Sequence, residues 1–279
     1  MLYINQNDSV IENNGPVINS GNRGYLYGDG VFETIRIING KLINLENHIN
    51  RMLEGAKAIF MDIPKSYNTS FFEHRINHLI IKSNIKEGGK CRISLDRVNG
   101  GTYLPESNEI DFFIEVYPIN ENKFILNSKG FEIDLFMDHQ KTITSLSNFK
   151  TKNGLTYILG AIQAKKKGLD DLLIMNNKGN IIESTNSNLF IVSNGVLYTP
   201  SLDDGCLAGT MRMQIINIAI SNGIKVYECN IMSQNLLVAD EIFLTNSIKG
   251  IIWVSSYRTK RYFNNTSKKL IDLLNRKLI

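Results

Sequence analysis

SLSNFKTKNGLTYILGAIQAKKKG, residues 145–168, holds five lysines in one helical pattern and its lead-in. Leu155, Ile158, Leu159 and Ile162 recur at helical spacing and read as its apolar stripe, with Gly168 positioned to end the helix. Lys165, Lys166 and Lys167 fall in the last turn. Cations there complement the helix dipole, and three in a row point in different directions, so they read as solvated charge. Lys150 and Lys152 instead precede the helix, in a turn after Phe149. A lysine that condenses with a carbonyl needs such a junction, because its amine must lose a proton and reach into a cleft. Position alone does not choose between the two.

Working outward from that stretch, the chain reads as alternating strands and helices. VFETIRIINGKLINL is two apolar runs around Asn39-Gly40, a pair that tolerates the positive φ of a tight hairpin. NLENHINRMLEGAKAIF follows as a helix, with Asn44 as its cap and Ile49, Met52, Leu53, Ala56 and Phe60 on one face. A second helix is predicted across SFFEHRINHLIIKS, then strands at CRISLDRV and IDFFIEVYP. The polar, punctuated residues 118–128 read as a linker. Beyond them come the strand FEIDLFM and the lysine-bearing helix. Two hairpins turn at Lys178-Gly179 and Asn194-Gly195, a helix starts near Thr210, and a strand-helix-strand-helix run closes the chain. The fold class is therefore α+β, with an N-terminal domain over 1–117, the linker, and a C-terminal domain over 129–279.

Composition narrows the function. The 279 residues are 43% hydrophobic and 21% charged, with a formal charge of +4. That bias suits anionic small molecules and is too diffuse for nucleic acid. Cys91, Cys206 and Cys229 have neither disulfide-framework nor zinc spacing, so no metal is expected. No secretory signal or membrane-length apolar run is read, and a cytoplasmic setting is the default. No nucleotide-binding glycine pattern occurs.

Two further places invite chemistry. Glu183 ends an apolar strand before the polar loop STNSN, either as a strand-end charge or as a fixed carboxylate. Gly209-Thr210-Met211 opens a helix, whose free amides and positive dipole end make a phosphate site.

FKTKN, then Glu183 in ESTNSNLF 33 positions after Lys150, then LYTP and LAGTMR, together resemble the class IV aminotransferases. RGYLYGDGVFETIRIING resembles their N-terminal signature, and HINRM the helix after it. The resemblance runs from about Arg23 to Val254. It implies a fold-type-IV, D-amino-acid-aminotransferase-like enzyme of two domains, with the active site between them, a homodimeric assembly and pyridoxal 5′-phosphate as cofactor. Lys150 matches the lysine that holds the cofactor, because Asn153 stands three residues on. Glu183 matches the carboxylate facing the pyridine nitrogen. Arg51 matches the phosphate-binding arginine, the Thr210 and Met211 amides the phosphate-binding helix start, and Asn246 with Ser247 a second phosphate loop. Thr210 departs from the family's usual aliphatic residue, a change that a backbone role survives.

Tyr27, Phe32, Thr34 and Arg36 match the substrate side. Independently, residues 32, 34 and 36 share one face of a strand. Arg97 is expected as a carboxylate clamp and Tyr103 as a residue closing the pocket. TNSIKGIIWV resembles 4-amino-4-deoxychorismate lyases more than transaminases, whereas RVNGGTYLPES departs from the lyase loop. The reading leans to that lyase, a source of the folate precursor 4-aminobenzoate. Its alternatives are transamination of branched-chain L- or D-amino acids, and, more remotely, a non-catalytic relative.

Overall fold

The computed structural model describes residues 1–278 and divides into two compact units, one of residues 1–123 with 149–153, the other of residues 124–148 with 154–278. The first contains β1 (Tyr3–Gln6), β2 (Ser9–Glu12), α1 (Arg23–Tyr27), β3 (Gly30–Ile38), β4 (Lys41–Leu42), α2 (Leu45–Ala58), α3 (Thr69–Lys82), β5 (Gly88–Arg97) and β6 (Ile110–Ile119). Its strands form one antiparallel sheet in the order β2-β1-β6-β5-β3-β4.

Alternation along β3 decides which face the helices cover. Val31, Ile35 and Ile37 pack with Ile49, Met52 and Ala56 of α2, with Phe72, Ile76 and Leu79 of α3, and with Cys91, Ile93 and Leu95 of β5. Each such buried aliphatic contributes about 1.5–3 kcal/mol. The other face carries Phe32, Thr34 and Arg36, in register with Ser94, Arg92 and Lys90 of β5. The predicted hairpin forms, with Asn39 and Gly40 both at positive φ. Two local expectations fail. Asn44 stands at the α2 N-cap in the left-handed region and makes no side-chain cap bond. Phe60 lies beyond the helix, also at positive φ, and is exposed rather than on the buried stripe.

The second unit contains β7 (Phe131–Lys141), α4 (Leu155–Lys166), β8 (Asp171–Asn176), β9 (Ile181–Ser184), β10 (Asn188–Ser193), β11 (Val196–Pro200), α5 (Thr210–Ser221), β12 (Val226–Cys229), α6 (Ser233–Val238), β13 (Glu241–Asn246), β14 (Gly250–Tyr257), β15 (Lys260–Arg261) and α7 (Asn265–Leu278). A mixed sheet runs β12-β11-β10-β13-β14-β7-β8-β9, and β9 pairs back to β10, so the path closes on itself. Its core gathers residues such as Leu173, Ile181, Leu189, Ile242, Leu244 and Val254.

The α4 stripe is a correction. Leu155, Ile158, Leu159 and Ile162 are exposed, and the helix buries Gly160 and Ala164 instead. Gly160 approaches Phe136 of β7 and Thr185 too closely for a large side chain to stand between. The segment that carries Lys150 was expected with the C-terminal half; its contacts group it with the first unit. Phe32 N donates to Lys150 O at 2.9 Å, Lys152 N donates to Gly30 O at 2.9 Å, and Thr151 forms an antiparallel bridge with Val31. Residues 149–153 thus pair with the start of β3.

Candidate active site

In the first unit, Lys150 is half-buried on the non-core face of the sheet, its Nζ 4.4 Å from the centroid of the Phe32 ring. The guanidinium of Arg92 lies over the same ring at 3.9 Å. Phe32, Thr34, Arg92 and Lys150 therefore share one surface, as the period-two reading of β3 predicts for its own residues. Arg36 lies on that face as well, but it is buried and its Nη2 donates to Glu121 O.

Arg51 projects from α2 toward the core face of β3. Its Nε and Nη2 donate to the two oxygens of Glu33 at 2.7 and 2.6 Å, and His48 Nδ1 lies 2.6 Å from Glu33 Oε2. Glu33 is fully buried. Burial alone would push its carboxyl up, but Arg51 and His48 outweigh it and hold the pKa at about 2. A bidentate carboxylate fixes the plane of the guanidinium, so Glu33 orients Arg51.

Arg97 is buried and its guanidinium is committed to the protein. Nε donates to Asp29 at 2.9 Å, Nη1 to Asn108 Oδ1 at 2.5 Å and Phe60 O at 3.3 Å, and Nη2 to Ile59 O at 2.6 Å. A substrate carboxylate would have to displace these acceptors, so the structure offers no open clamp at Arg97. Tyr27 and Tyr103 meet at 5.8 Å between ring centroids, and both line a cavity of about 270 Å³ with Arg23, Arg97, Thr151 and Asn153. Lys150 and Phe32 do not line it.

The second unit gathers the remaining candidates around Glu183 and the α5 start. Glu183 is the penultimate residue of β9, with 3% exposure. Its Oε1 accepts from Lys141 Nζ at 2.8 Å and Tyr157 OH at 2.9 Å, and its Oε2 from Leu207 N at 2.9 Å. Two bonds fill Oε1 and one engages Oε2, leaving acceptor capacity on Oε2 for one more donor. Burial pushes the Tyr157 hydroxyl's pKa up, and adjacent Glu183 adds to this, so Tyr157 stays a donor. Burial also holds the nearby Cys206 thiol at about 12, which keeps it unreactive.

Gly209 caps α5 in an extended conformation, and no side chain of the helix start caps it. A Cβ at Gly209 would run into Asn188 Oδ1. Thr210 and Met211, the first two helical residues, are both buried, and Thr210 Oγ1 lies 3.2 Å from Ser247 Oγ. Asn246 closes the adjoining turn. Its Oδ1 accepts from Ile248 N and Lys249 N, and its Nδ2 donates to Ser187 Oγ at 2.9 Å. A twelve-residue helix whose N-cap residue is a glycine, flanked by the Thr210 and Ser247 hydroxyls, fits an anionic group. Among the described residues, no three His, Cys, Asp or Glu side chains gather to hold a metal ion, and no helix is long and apolar enough to cross a membrane.

Sequence reasoning missed Lys141, Tyr157, Arg92 and Glu33. Glu33 sits one residue from Phe32, and the alternation that puts 32, 34 and 36 on one face puts an acid on the apolar face; that mismatch was the available signal.

The sequence profile of amino-transferase class IV matches residues 30–257. The chain belongs to that family. It is 29% identical over 254 residues to the D-alanine aminotransferase of Listeria innocua, covering 86% of this chain and 82% of that one. It is 27% identical over 261 residues to the aminodeoxychorismate lyase of Bacillus subtilis, covering 90% and 85%. Among solved structures, the branched-chain aminotransferase of Thermoproteus uzoniensis with norvaline superposes with a TM-score of 0.90 at 24% identity, over 99% of this chain and 94% of that one. An aminotransferase of Brucella abortus bound to the cofactor PLP gives 0.87 at 20%, over 98% and 97%. The α+β architecture is thus that of the class IV aminotransferases.

Proposed function

We propose that this family member is a pyridoxal-phosphate enzyme acting on an amino-bearing carboxylate, with Lys150 as its covalent lysine. The observation that carries the reading is Glu183: a buried carboxylate, fixed on three sides, with one acceptor position left on Oε2. A protonated pyridine nitrogen is the donor that fits it. When bound, pyridoxal phosphate supplies an aldehyde carbon for an amine and a ring that takes up electron density from the substrate's amine-bearing carbon.

The chain's own residues do the rest. Lys150 is the base and acid at that carbon, moving a proton on Nζ along the face shared with Phe32. Glu183 accepts the ring nitrogen's hydrogen bond, held in place by Lys141. Arg51, oriented by Glu33, is assigned to phosphate in the first unit, and the Thr210 and Met211 amides with the Asn246-Ser247 turn are assigned to phosphate in the second. Phe32 and Thr34 line the substrate side. Arg92, not Arg97, is the reading's carboxylate clamp, because its guanidinium lies over Phe32 on the lysine's own face.

We put 4-amino-4-deoxychorismate lyase first, on the TNSIKGIIWV segment that runs from the end of β13 into β14. Transamination of D- or branched-chain L-amino acids is the second reading. It is favoured by the absence of arginine from residues 98–109 and by the likeness to the D-alanine aminotransferase. A homodimer in the cytoplasm belongs to the same proposal. The unpartnered aliphatic stripe of α4 supports the first point, and three free cysteines suit the second.

The test is a visible spectrum of the protein loaded with pyridoxal phosphate, followed by separate additions of aminodeoxychorismate and of single amino acids. Release of 4-aminobenzoate and pyruvate selects the lyase. Loss of the visible band with one amino acid alone selects the transaminase. No visible band at all would remove Lys150 from its role.

A further inference from the structure

Two lysines face the same surface one row apart. Residues 150 and 152 flank Thr151 in the extended segment bridged to Val31, so both side chains leave on one side, about 7 Å apart along the chain. Lys150 lies over the Phe32 row of the sheet; Lys152 lies over the next row, where Gly30 pairs with Asp96. Their surroundings differ. Lys150 Nζ meets an aromatic face and Lys152 Nζ meets a carboxylate, the fully buried Asp96. Asn22, itself buried, donates to Asp96 Oδ2 at 3.2 Å.

The slot that holds this ion pair is walled by two residues without a Cβ. A Cβ on Gly24 or on Gly30 would come within 2.5 Å of the Asp96 carboxylate, and one on Gly30 would also stand 3.2 Å from Lys152 Cδ. Sequence, backbone and charge therefore agree on keeping Lys152 seated.

We propose that Asp96 is a positioning residue that withholds Lys152 from the cofactor's aldehyde, so that condensation is confined to Lys150. The inference rests on the pyridoxal-phosphate reading above. Condensation requires a neutral amine: the nitrogen attacks the aldehyde carbon, a C–N bond forms, and the carbonyl oxygen leaves as water with the amine's two protons. At Lys152 that step would take the cation from Asp96 and leave a buried carboxylate without it, which opposes the reaction. The chain thus carries a second amine beside the first and prevents it from competing.

The experiment loads native protein, Lys150→Ala and Lys150→Ala/Asp96→Asn with pyridoxal phosphate, reduces each with borohydride, and locates the phosphopyridoxyl group by peptide mass spectrometry. Native protein is expected to carry it on Lys150, Lys150→Ala to leave Lys152 unlabelled, and the double variant to label Lys152 at least about tenfold more than Lys150→Ala. Label on Lys152 in Lys150→Ala overturns the proposal, as does a folded double variant that leaves Lys152 bare. If the double variant does not fold, Lys150→Ala decides alone. Native protein without label on Lys150 sinks the cofactor reading and the proposal with it, a result distinct from Lys152 competing.

Discussion

Lys141 Nζ lies 2.8 Å from Glu183 Oε1, an ion pair between the end of β7 and the end of β9 with little solvent at either side chain. Lys141→Met would leave a buried carboxylate facing only a hydroxyl and an amide. Its expected cost is about 3 kcal/mol, the low end for breaking a buried pair on one side. Pyridoxal-phosphate affinity should fall about tenfold or more, as for outer partners of other bound groups. Urea unfolding and a cofactor titration read the two effects, and Lys141→Arg should restore most of both. Unchanged affinity in Lys141→Met would remove Lys141 from the site.

Glu33 sets an acid limit. Its folded pKa of about 2 lies below the ordinary 4.5, so its contribution is fully present above pH 4.5 and is lost as pH falls toward 2. That shift amounts to about 3 kcal/mol. Glu33→Gln should flatten this part of the stability-pH curve and lower stability at neutral pH. Urea midpoints measured between pH 2.5 and 7 test it; parallel curves for the two proteins would contradict the assignment.

Gly209→Ala should damage the anion site proposed at the start of α5. The added methyl meets Asn188, whose Nδ2 already donates to Leu207 O at 2.8 Å, so the Asn188 amide, the helix start or that loop must shift. We expect about 1–3 kcal/mol of destabilisation from overpacking. Inorganic phosphate should compete less with pyridoxal phosphate in the variant than in the native protein, read by fluorescence titration.

The α4 stripe offers a test of assembly. Ile158→Lys with Leu159→Lys changes side chains already exposed in the chain, so the far-UV spectrum should not change. Sedimentation velocity should show a shift toward monomer. A species of unaltered size would remove this stripe from the proposed homodimer interface.

Most of the architecture was legible because local signals agreed with the tertiary outcome. Asn39-Gly40 and Asn194-Gly195 both take positive φ at hairpin turns. Residues 32, 34 and 36 share a face as period two requires. The first hairpin was missed because it turns at Asn7-Asp8 without glycine, both at positive φ. The α4 stripe misled because helical spacing reports an apolar face but not what covers it. Lys141, Tyr157 and Arg92 were missed for a different reason. Their roles come from long-range pairing, Lys141 with a residue 42 positions on, and no local pattern encodes that. Arg97 failed as an open clamp since Asp29, Asn108 and two carbonyls converge on it only in the fold.

The bridge between Val31 and Thr151 joins positions about 120 residues apart within one unit. Chain order therefore governs assembly during synthesis. The six-stranded sheet can pair as soon as β6 has left the ribosome, but Gly30 O and Phe32 N keep their partners waiting until residues 150–152 emerge. A nascent or truncated chain ending near residue 123 would display an unpaired strand start and Asp96 without its cation. The early unit is thus born incomplete, and it should hold chaperone or aggregate until the lysine-bearing segment arrives.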